Sequence, residues 1–416
     1  MSVKVDEWLQ EHGIHTVQVT FTDMHGAVRG KRIPAEVFRR KPRAEYAFCD
    51  GALAWDVQGI IFEETAFSNF QSGYPDLFAV PDLETLRPCG WSVGEAVVVT
   101  DLHHQHHSPI TLAPRALLRR AAAAAAGAGW QPGVAVELEL HLVDAEGKAA
   151  PVRGAPWGLM PGADPLGLMA AVGNGISGTG YRVEQIGWGR EPGQIRVQLG
   201  ALPPLAAADA AVIVKTAIKE IVMGAGLRAS FMARPAFSQA GNALRLELGW
   251  PGGPAAGAAT WEHLLAGCAR YLPELCSLMQ PTVNSYKRLA PAGASGGPGG
   301  YRWGGGGAIL AAGRGSDGQP ALIESLSGAD ANPYLAVAAV LAAGAAGLAA
   351  AASPPAAPVL PRTLAEAMQR LAGSPWARQS LGEDFVAHWV AMMAHEAELY
   401  ADAVTDWETR RYADTV

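Results

Sequence analysis

Apolar and polar residues alternate most regularly along residues 135–142, Ala-Val-Glu-Leu-Glu-Leu-His-Leu. Successive side chains of a strand point to opposite faces, so we predict a strand at 134–143 with Glu137, Glu139 and His141 on one face and apolar side chains on the other. Shorter alternating or β-branched stretches predict further strands at 15–22, 95–101, 183–186, 194–199 and 244–248.

Helical stretches are predicted by composition and by the residues at their ends. Residues 115–126 are mainly Ala, follow a Pro that suits a first helical turn, and stop at Gly127. Residues 334–352 carry no charge but consist mostly of Ala and Gly without basic or aromatic flanks, so we expect a buried core helix rather than a membrane span. We expect this helix to begin at 333, and the other predicted helices are 206–224, 261–279, 364–373 and 383–405.

The order of these elements predicts two domains. Residues 50–92 are rich in Gly, Pro, Asp and aromatic residues with little periodicity, and they separate two predicted strands of a small, mainly β region. Strands and helices then alternate, with a Gly-rich loop at 290–307. We therefore expect an N-terminal domain at 1–107 and a larger domain at 108–416.

Composition narrows the class of protein. Only 17% of the 416 residues are charged, against about 25% in typical domains, and the net charge is −7. This balance gives no basic footprint for nucleic acid or an anionic membrane. The cysteines are too scattered for a disulfide frame, and the N-terminus lacks an apolar signal segment, so we expect a cytoplasmic enzyme or enzyme-like protein. The four cysteines are Cys49, Cys89, Cys268 and Cys276.

Three predicted strands carry polar residues at every second position, which suggests one wet cavity inside a curved sheet. The alternative is that each strand simply has a solvent-exposed face. The carboxylates of the first strand would lie about 7 Å apart, a spacing that suits two divalent cations or two cationic side chains. The residues are Glu137, Glu139 and His141; Gln194, Arg196 and Gln198; and Arg245 and Glu247.

Motifs along nearly the whole chain resemble the glutamine synthetase family. The end of the chain resembles the branch that includes γ-glutamylpolyamine and related γ-glutamylamide synthetases. The motifs are Asp23-Met-His-Gly-Ala-Val-Arg-Gly-Lys-Arg-Ile-Pro34, Tyr74-Pro-Asp-Leu-Phe-Ala-Val-Pro-Asp82, Ala113-Pro-Arg115, Glu137-Leu-Glu139, Pro192-Gly-Gln194, Asn284-Ser-Tyr-Lys-Arg-Leu289, Asp330-Ala-Asn-Pro-Tyr-Leu335 and Thr405-Asp-Trp-Glu408.

The resemblance implies an α+β glutamine-synthetase fold. It would have an N-terminal β-grasp domain and a catalytic-type domain with a curved antiparallel sheet and helices, assembled as hexameric rings in a dodecamer with cavities shared between neighbouring subunits. It also implies ATP-dependent chemistry, in which divalent metals hold the nucleotide phosphates, the γ-carboxylate of glutamate is phosphorylated and an amine displaces the phosphate.

Several metal-ligand positions implied by the resemblance carry other residues here. The Glu137 and Glu139 pair is present, but two further glutamate positions hold Gly189 and Arg196. The position of the metal-binding histidine holds Arg245, and that of a nucleotide-side histidine holds Glu247. A guanidinium is cationic and binds carboxylates, so Arg196 and Arg245 would neutralise the glutamates without a metal and would repel divalent cations.

Other positions are mixed. Glu324 matches the family's remaining metal-binding glutamate, although the arginines that flank it in relatives are absent. Arg288 matches the residue that holds the substrate carboxylate, and Gly241 matches a nearby backbone contact. The flap glutamate is missing from 291–296, and a phosphate-side motif is replaced by Gly and Ala around 307–308.

These observations leave three functions open. The first is an enzyme that acts on a glutamate-like or γ-glutamyl-like small carboxylate without Mg-ATP. The second is an inactive homologue that serves as a binding, scaffold or regulatory partner. The third is a residual ATP-dependent γ-glutamyl-amine ligase. For the first we expect no metal and no cofactor, although the family resemblance implies both ATP and Mg. The candidate catalytic residues are Glu137, Glu139, Glu324, Arg245 and Arg196, and the candidate substrate contacts are Arg288, Gly241, Glu247 and His141.

The cluster of histidines at 103–107 has two interpretations. His-His-Gln-His-His is a composition that can chelate a transition metal. It lies in the predicted linker between the domains, where a solvated loop is the simpler expectation.

Overall fold

Two β-sheets with helices around them make up the described part of the chain. The computed structural model describes residues 2–148, 150, 157–159, 164–236, 240–250, 257–289, 309–353 and 359–414. The predicted Gly-rich loop at 290–307 lies outside these ranges. None of the helices within them is both long and apolar enough to cross a bilayer.

The first sheet has the strand order β2-β1-β6-β4-β3, with β5 paired to β6. β1 runs parallel to β6 and antiparallel to β2. Val5, Leu9, Phe38 and Val98 belong to a small core between two short helices and one face of the sheet. The strands are β1 Thr16–Thr22, β2 Val28–Pro34, β3 Tyr46–Cys49, β4 Asp76–Pro81, β5 Arg87–Pro88 and β6 Glu95–His103, and the helices are α1 Ser2–Glu11 and α2 Ala35–Phe38.

The second sheet is antiparallel throughout and carries the predicted polar strands. Its order is β12-β13-β11-β7-β9-β8, and β10 pairs with the end of β7. The strand predicted at 194–199 is found with the same bounds. The strands are β7 Gly133–Val143, β8 Val183–Trp188, β9 Gln194–Leu199, β10 Arg228–Ser230, β11 Leu244–Gly249, β12 Leu310–Arg314 and β13 Pro320–Glu324.

Helices cover the apolar face of this sheet, and five of the six predicted helices are found within a few residues of their expected ends. The helices are α3 Pro114–Gly127, α4 Leu168–Ser177, α5 Pro204–Gly224, α6 Ala258–Tyr271, α7 Cys276–Met279, α8 Val283–Leu289, α9 Pro333–Ala349, α10 Leu364–Ala372, α11 Pro375–Leu381, α12 Glu383–Asp402 and α13 Asp406–Tyr412.

The predicted single helix at 261–279 is wrong, because the chain forms two helices there. α6 ends at Tyr271 and α7 begins at Cys276. Pro273 lies between them, and a proline inside a helix removes one backbone donor and clashes with the preceding turn. The break was therefore readable from the sequence.

The uncharged stretch forms the buried core helix that was predicted. Most residues of α9 are fully buried, Leu335, Val337 and Leu341 among them. α9 crosses α6 with backbone against backbone: a Cβ added to Gly347 would lie 2.1 Å from the His263 carbonyl oxygen, and one on Gly267 would lie 2.2 Å from the Ala343 carbonyl oxygen. The glycines let the two helices approach more closely than any side chain would allow.

A buried arginine joins the first sheet to the helices of the second. Arg115, at the start of α3, binds Asp82 (2.8 Å), Asp101 (2.6 Å) and both carboxylate oxygens of Asp209 (3.0 Å each), and Asp209 also accepts a hydrogen bond from the Tyr334 hydroxyl at 2.6 Å. Burial lowers the pKa of Arg115, but the aspartates outweigh it and hold the pKa above its usual value. Three of the motifs noted in the sequence meet at this junction.

Candidate active site

The polar residues of three strands lie on one face of the second sheet, as predicted. In the register of the sheet, Glu139 lies opposite Arg196, and Glu137 lies between Arg245 and Gln198 on its two neighbours. Directly opposite residues of an antiparallel pair point to the same face. The face is therefore lined by alternating carboxylates and guanidiniums, and we call it the Glu/Arg face.

The Glu139 carboxylate forms an ion pair with the Arg196 guanidinium. Its Oε1 lies 2.6 Å from an Arg196 guanidinium nitrogen, and its Oε2 accepts a hydrogen bond from the Ala243 backbone N–H at 2.8 Å. A charge-assisted contact of this length is strong because the Glu139 side chain is almost fully buried. The spacing of the carboxylate pair suited either divalent cations or cationic side chains. At Glu139 the structure shows a cationic side chain, that of Arg196.

The second ion pair holds Glu247. Its Oε1 lies 3.2 Å from an Arg245 guanidinium nitrogen, and its Oε2 accepts from the Ser316 backbone N–H at 2.7 Å. Both oxygens of this carboxylate are therefore engaged. Glu247 ties β11 to the turn between β12 and β13.

Glu137 is the carboxylate of this face that no described residue hydrogen-bonds. Burial and the negative charge of Glu139 raise its pKa, and the positive charges of Arg196 and Arg245 act in the opposite direction. A carboxyl group with a raised pKa and no hydrogen-bond partner from the protein is suited to give or take a proton. Glu137 is thus the strongest acid–base candidate of the site.

The prediction that Glu324 lies with Glu137 and Glu139 is wrong. Glu324 lies opposite Leu246 and Leu310, whereas its neighbour Ile323 lies opposite Glu247. A shift of one residue along a strand moves a side chain to the other face. Glu324 is therefore fully buried among the apolar residues beneath the sheet, and an isoleucine takes the corresponding place on the Glu/Arg face.

Glu324 is held by Ser327, whose backbone N–H and hydroxyl donate to the two carboxylate oxygens at 2.7 and 3.0 Å. Burial raises the pKa of Glu324 from its usual value near 4.5 to about 7, although these hydrogen bonds act against the rise. The folded chain therefore keeps this proton to higher pH than the unfolded chain does. Its contribution to stability is complete below about pH 4.5 and is lost as the pH rises to about 7.

We expect Glu324→Gln to remove this dependence. Glutamine stays uncharged and keeps an acceptor for the Ser327 N–H, so the variant should exceed the wild type in unfolding free energy at pH 8 by about 3 kcal/mol and match it near pH 4.5. Urea unfolding at both pH values measures the difference. The exposed Glu262→Gln should show no such difference, and equal pH profiles for wild type and Glu324→Gln would contradict the assignment.

Arg288 lies beside this face, and a glycine makes room for it. Arg288 is 9% exposed, and one guanidinium nitrogen donates to the carbonyls of Ser325 and Leu326 while its Nε–H has no described partner. A Cβ on Gly241 would lie 2.4 Å from the Arg288 Cγ. The two residues paired by the sequence interpretation are in contact.

His141 shares the face with Glu139 and lies opposite Gln194. Its Nδ1 lies 2.7 Å from the Asn242 side-chain oxygen, and its Nε2 is buried with no described partner. Gly189 leaves space for Gln194, since a Cβ there would lie 2.4 Å from the Gln194 Oε1. A side chain at position 189 would therefore collide with Gln194 in its present conformation.

The donors of the Glu/Arg face do not fit the divalent cations that the resemblance implies. Glu139 and Glu247 each hold a guanidinium, and Ile323 supplies no ligand atom. Within the described ranges, no group of three or more His, Cys, Asp or Glu side chains is placed to hold a metal ion. Hard divalent cations need several convergent oxygen ligands, but carboxylate oxygens of Glu139 and Glu247 already contact arginines here.

Three other expectations concern loops. The candidate flap segment at 291–296 and the Gly and Ala at 307–308 lie outside the described residues. Residues 104–107 are exposed, as expected for a solvated loop, and His107 contacts Glu45 at 2.7 Å.

All four cysteines are free thiols.

Comparison with known families decides the relationship. A family model described as glutamine synthetase, catalytic domain, matches residues 111–412. The chain belongs to the glutamine synthetase family. The prediction made from its motifs is confirmed.

Similar members of this family include ligases that join glutamate to amines. A glutamate–isopropylamine ligase of Pseudomonas sp. is 30% identical over all of this chain and 98% of its own length. A γ-glutamylethanolamide synthetase of Streptomyces coelicolor is 31% identical over 96% of this chain and 92% of its own length. The predicted likeness to the γ-glutamylamide branch is therefore confirmed.

Solved structures of the family share the fold. The structure of a GmaS/ADP complex superposes with a TM-score of 0.84 at 26% identity, covering 99% of both chains. A novel glutamine synthase homolog has the same TM-score at 24% identity, covering 96% of this chain and 98% of its own. The protein has the α+β glutamine-synthetase fold that the sequence predicted.

Proposed function

We propose that this glutamine synthetase family member binds a glutamate-like or γ-glutamyl-like small molecule on the Glu/Arg face and acts on it without Mg-ATP-dependent ligation. The observation that carries the proposal is the Arg196–Glu139 ion pair at 2.6 Å. A guanidinium fixed on this carboxylate supplies the positive charge that a metal would otherwise bring.

The proposed roles follow from the contacts of each side chain. Glu137 gives or takes the proton, because its carboxylate is free of hydrogen-bond partners among the described residues and its pKa is raised by burial. Arg196 and Arg245 flank it and would stabilise negative charge that develops on a substrate carbonyl or carboxylate. Arg288 would hold a substrate carboxylate through its Nε–H, which has no partner among the described residues.

A second candidate is an ATP-dependent γ-glutamyl-amine ligase, favoured by the 30% identity to the glutamate–isopropylamine ligase over the whole chain. In this case ATP and Mg²⁺ would be cofactors, and the phosphate-binding groups would have to include residues beyond the described ranges. The amine would be a small alkylamine or amino alcohol by analogy with the relatives. An inactive binding partner is the remaining alternative.

Calorimetric titration separates these functions. The proposed function predicts that L-glutamate or a γ-glutamyl amide binds without nucleotide, and that adding Mg-ATP changes nothing. Tight nucleotide binding that requires Mg²⁺ would contradict it and favour the ligase. If neither glutamate nor nucleotide binds, the inactive partner is favoured.

We expect Arg288→Ala to weaken glutamate binding about 10- to 100-fold, since a buried guanidinium contact to a carboxylate is lost. The control is Lys287→Ala, which removes the same charge from an exposed position of the same helix. Calorimetry measures both affinities, and circular dichroism checks that both variants are folded. Equal effects of the two substitutions would contradict a carboxylate site at Arg288.

Turnover should depend on Glu137. Mass spectrometry after incubation with γ-glutamyl amides, or with glutamate and amines, identifies the product in the presence and absence of Mg-ATP. Glu137→Gln keeps the size of the side chain but not its acid–base function, so we expect product formation to fall about 100- to 10,000-fold with little change in affinity. Undiminished turnover would assign the proton transfer elsewhere.

A further inference from the structure

His141 is a buried histidine whose hydrogen bonds fix which nitrogen carries the proton. It is 1% exposed and lies in β7 between Gln194 of β9 and Ser230 of β10. Its side chain points to the same face as Glu139. The imidazole is therefore part of the Glu/Arg face rather than of the apolar core beneath the sheet.

Backbone groups set the direction of the side-chain amides next to it. The Arg190 N–H donates to the Gln194 Oε1 at 3.0 Å, so the Gln194 Nε2 points the other way and donates to the Gly241 carbonyl at 3.2 Å and to the Asn242 Oδ1 at 3.3 Å. The Asn242 Nδ2 donates to the Met232 carbonyl at 2.9 Å. Carbonyls only accept and backbone N–H groups only donate, so this chain of bonds has one direction.

The protonation of His141 follows from that direction. The Asn242 Oδ1 is an acceptor, so the His141 Nδ1 at 2.7 Å must carry the hydrogen. Burial lowers the pKa of His141, which favours the neutral ring. Its Nε2 then holds a free lone pair, and no described residue donates to it.

A buried acceptor without a donor costs free energy unless a ligand or water completes it. A second incomplete group borders the preceding residue of the chain, because Gly241 contacts Arg288, whose buried Nε–H lacks a described acceptor. Gly241 and Asn242, which are adjacent in the chain, thus contact a donor and an acceptor that have no partner among the described residues. An α-amino acid presents the complementary pair, a carboxylate and an ammonium group.

We propose that the His141 Nε2 accepts a hydrogen bond from the α-ammonium group of the amino-acid ligand and so selects ligands with a free amino group. This inference rests on the proposed function, since it assumes that the Glu/Arg face binds a glutamate-like molecule. It adds a specificity residue to that site, and it makes Asn242 and Gln194 positioning residues that hold the imidazole in one tautomer.

Three ligands that differ only at the amino group test it. Calorimetry on the full chain compares L-glutamate, glutarate and N-acetyl-L-glutamate. We expect wild type to bind L-glutamate about 10- to 100-fold more tightly than glutarate, and N-acetyl-L-glutamate no better than glutarate. His141→Phe should reduce glutamate affinity to the glutarate level while leaving glutarate unchanged, and His141→Gln, which keeps an acceptor, should restore part of the difference.

The outcomes separate this inference from the proposed function. The exposed His106→Phe is the matched control and should bind all three ligands as wild type does. Equal binding of glutamate and glutarate by wild type, or an unchanged preference in His141→Phe, overturns the role of His141 and leaves the carboxylate site intact. If none of the three ligands binds to wild type, the proposed function fails and the inference fails with it.

Nitrogen NMR of the wild type keeps the test decisive if His141→Phe does not fold. We expect the His141 signals of the free protein to show a hydrogen on Nδ1 and an unprotonated Nε2, and L-glutamate to shift the Nε2 resonance while glutarate does not. A hydrogen on Nε2 in the free protein, or equal shifts with both ligands, would overturn the inference.

Discussion

Replacing Arg196 by glutamate is expected to create a divalent-cation site on the Glu/Arg face. The substitution removes the guanidinium from Glu139 and places a third carboxylate opposite it, beside Glu137. Three convergent carboxylates repel one another once the Arg196 charge is lost and Arg245 alone offsets them, so Arg196→Glu should be less stable than wild type until Mn²⁺ or Mg²⁺ is added. The metal should then stabilise it by about 2.7 kcal/mol at a concentration of 100 times Kd.

Thermal unfolding with and without Mn²⁺ measures this effect, and Mn²⁺ paramagnetic resonance counts the bound ions. Arg182→Glu makes the same change of charge at an exposed position of the chain, so it should gain no metal site. Adding Arg245→His to Arg196→Glu brings an imidazole opposite Glu137 and should tighten metal binding further. Wild type that is stabilised by Mn²⁺ as strongly as Arg196→Glu would contradict the view that the guanidinium occupies the cation position.

The largest loss of stability is expected from Arg115→Ala. Removing this guanidinium leaves Asp209 buried without its counter-charge and breaks the contacts to Asp82 and Asp101. Such a loss costs about 3–5 kcal/mol of unfolding free energy. Urea unfolding measures the change, with Arg119→Ala as the control.

Arg119 is a close match because it binds the same Asp101 at 2.9 Å from the neighbouring turn of α3, but its side chain is 46% exposed. We expect Arg119→Ala to cost less than about 1 kcal/mol, as exposed ion pairs do. If both substitutions have the same small effect, the buried junction does not stabilise the protein in the way its geometry indicates.

Local patterns predicted the elements of the site but not how they are paired. The alternation along 135–142 is enough to place Glu137, Glu139 and His141 on one face, since a strand has a period of two. The face on which Glu324 lies depends on the register between β13 and β11, and the sequence Pro-Ala-Leu-Ile-Glu of β13 has no alternation that fixes it. A motif match one residue out of register therefore put this glutamate on the wrong side of the sheet.

The contacts of Arg115 could not be predicted from the sequence, for a different reason. The motifs that contain Asp82, Arg115 and Tyr334 were recognised as family signatures, but their partners are separated by as many as 125 residues in the chain. Contacts over such distances depend on the whole fold. Asp209 is a polar residue in the predicted helix 206–224 and carried no sign that it would bind Arg115.

The close crossing of α6 and α9 has a mechanical consequence. Because backbone lies against backbone at Gly267 and Gly347, the two helices cannot slide past each other without a collision. Asn332, which caps the start of α9, donates side-chain hydrogen bonds to the Asp23 and Met24 carbonyls in the turn between β1 and β2. α9 is therefore held at its start by backbone of the first sheet and near its end by α6, so it fixes the spacing between the first sheet and the helices of the second.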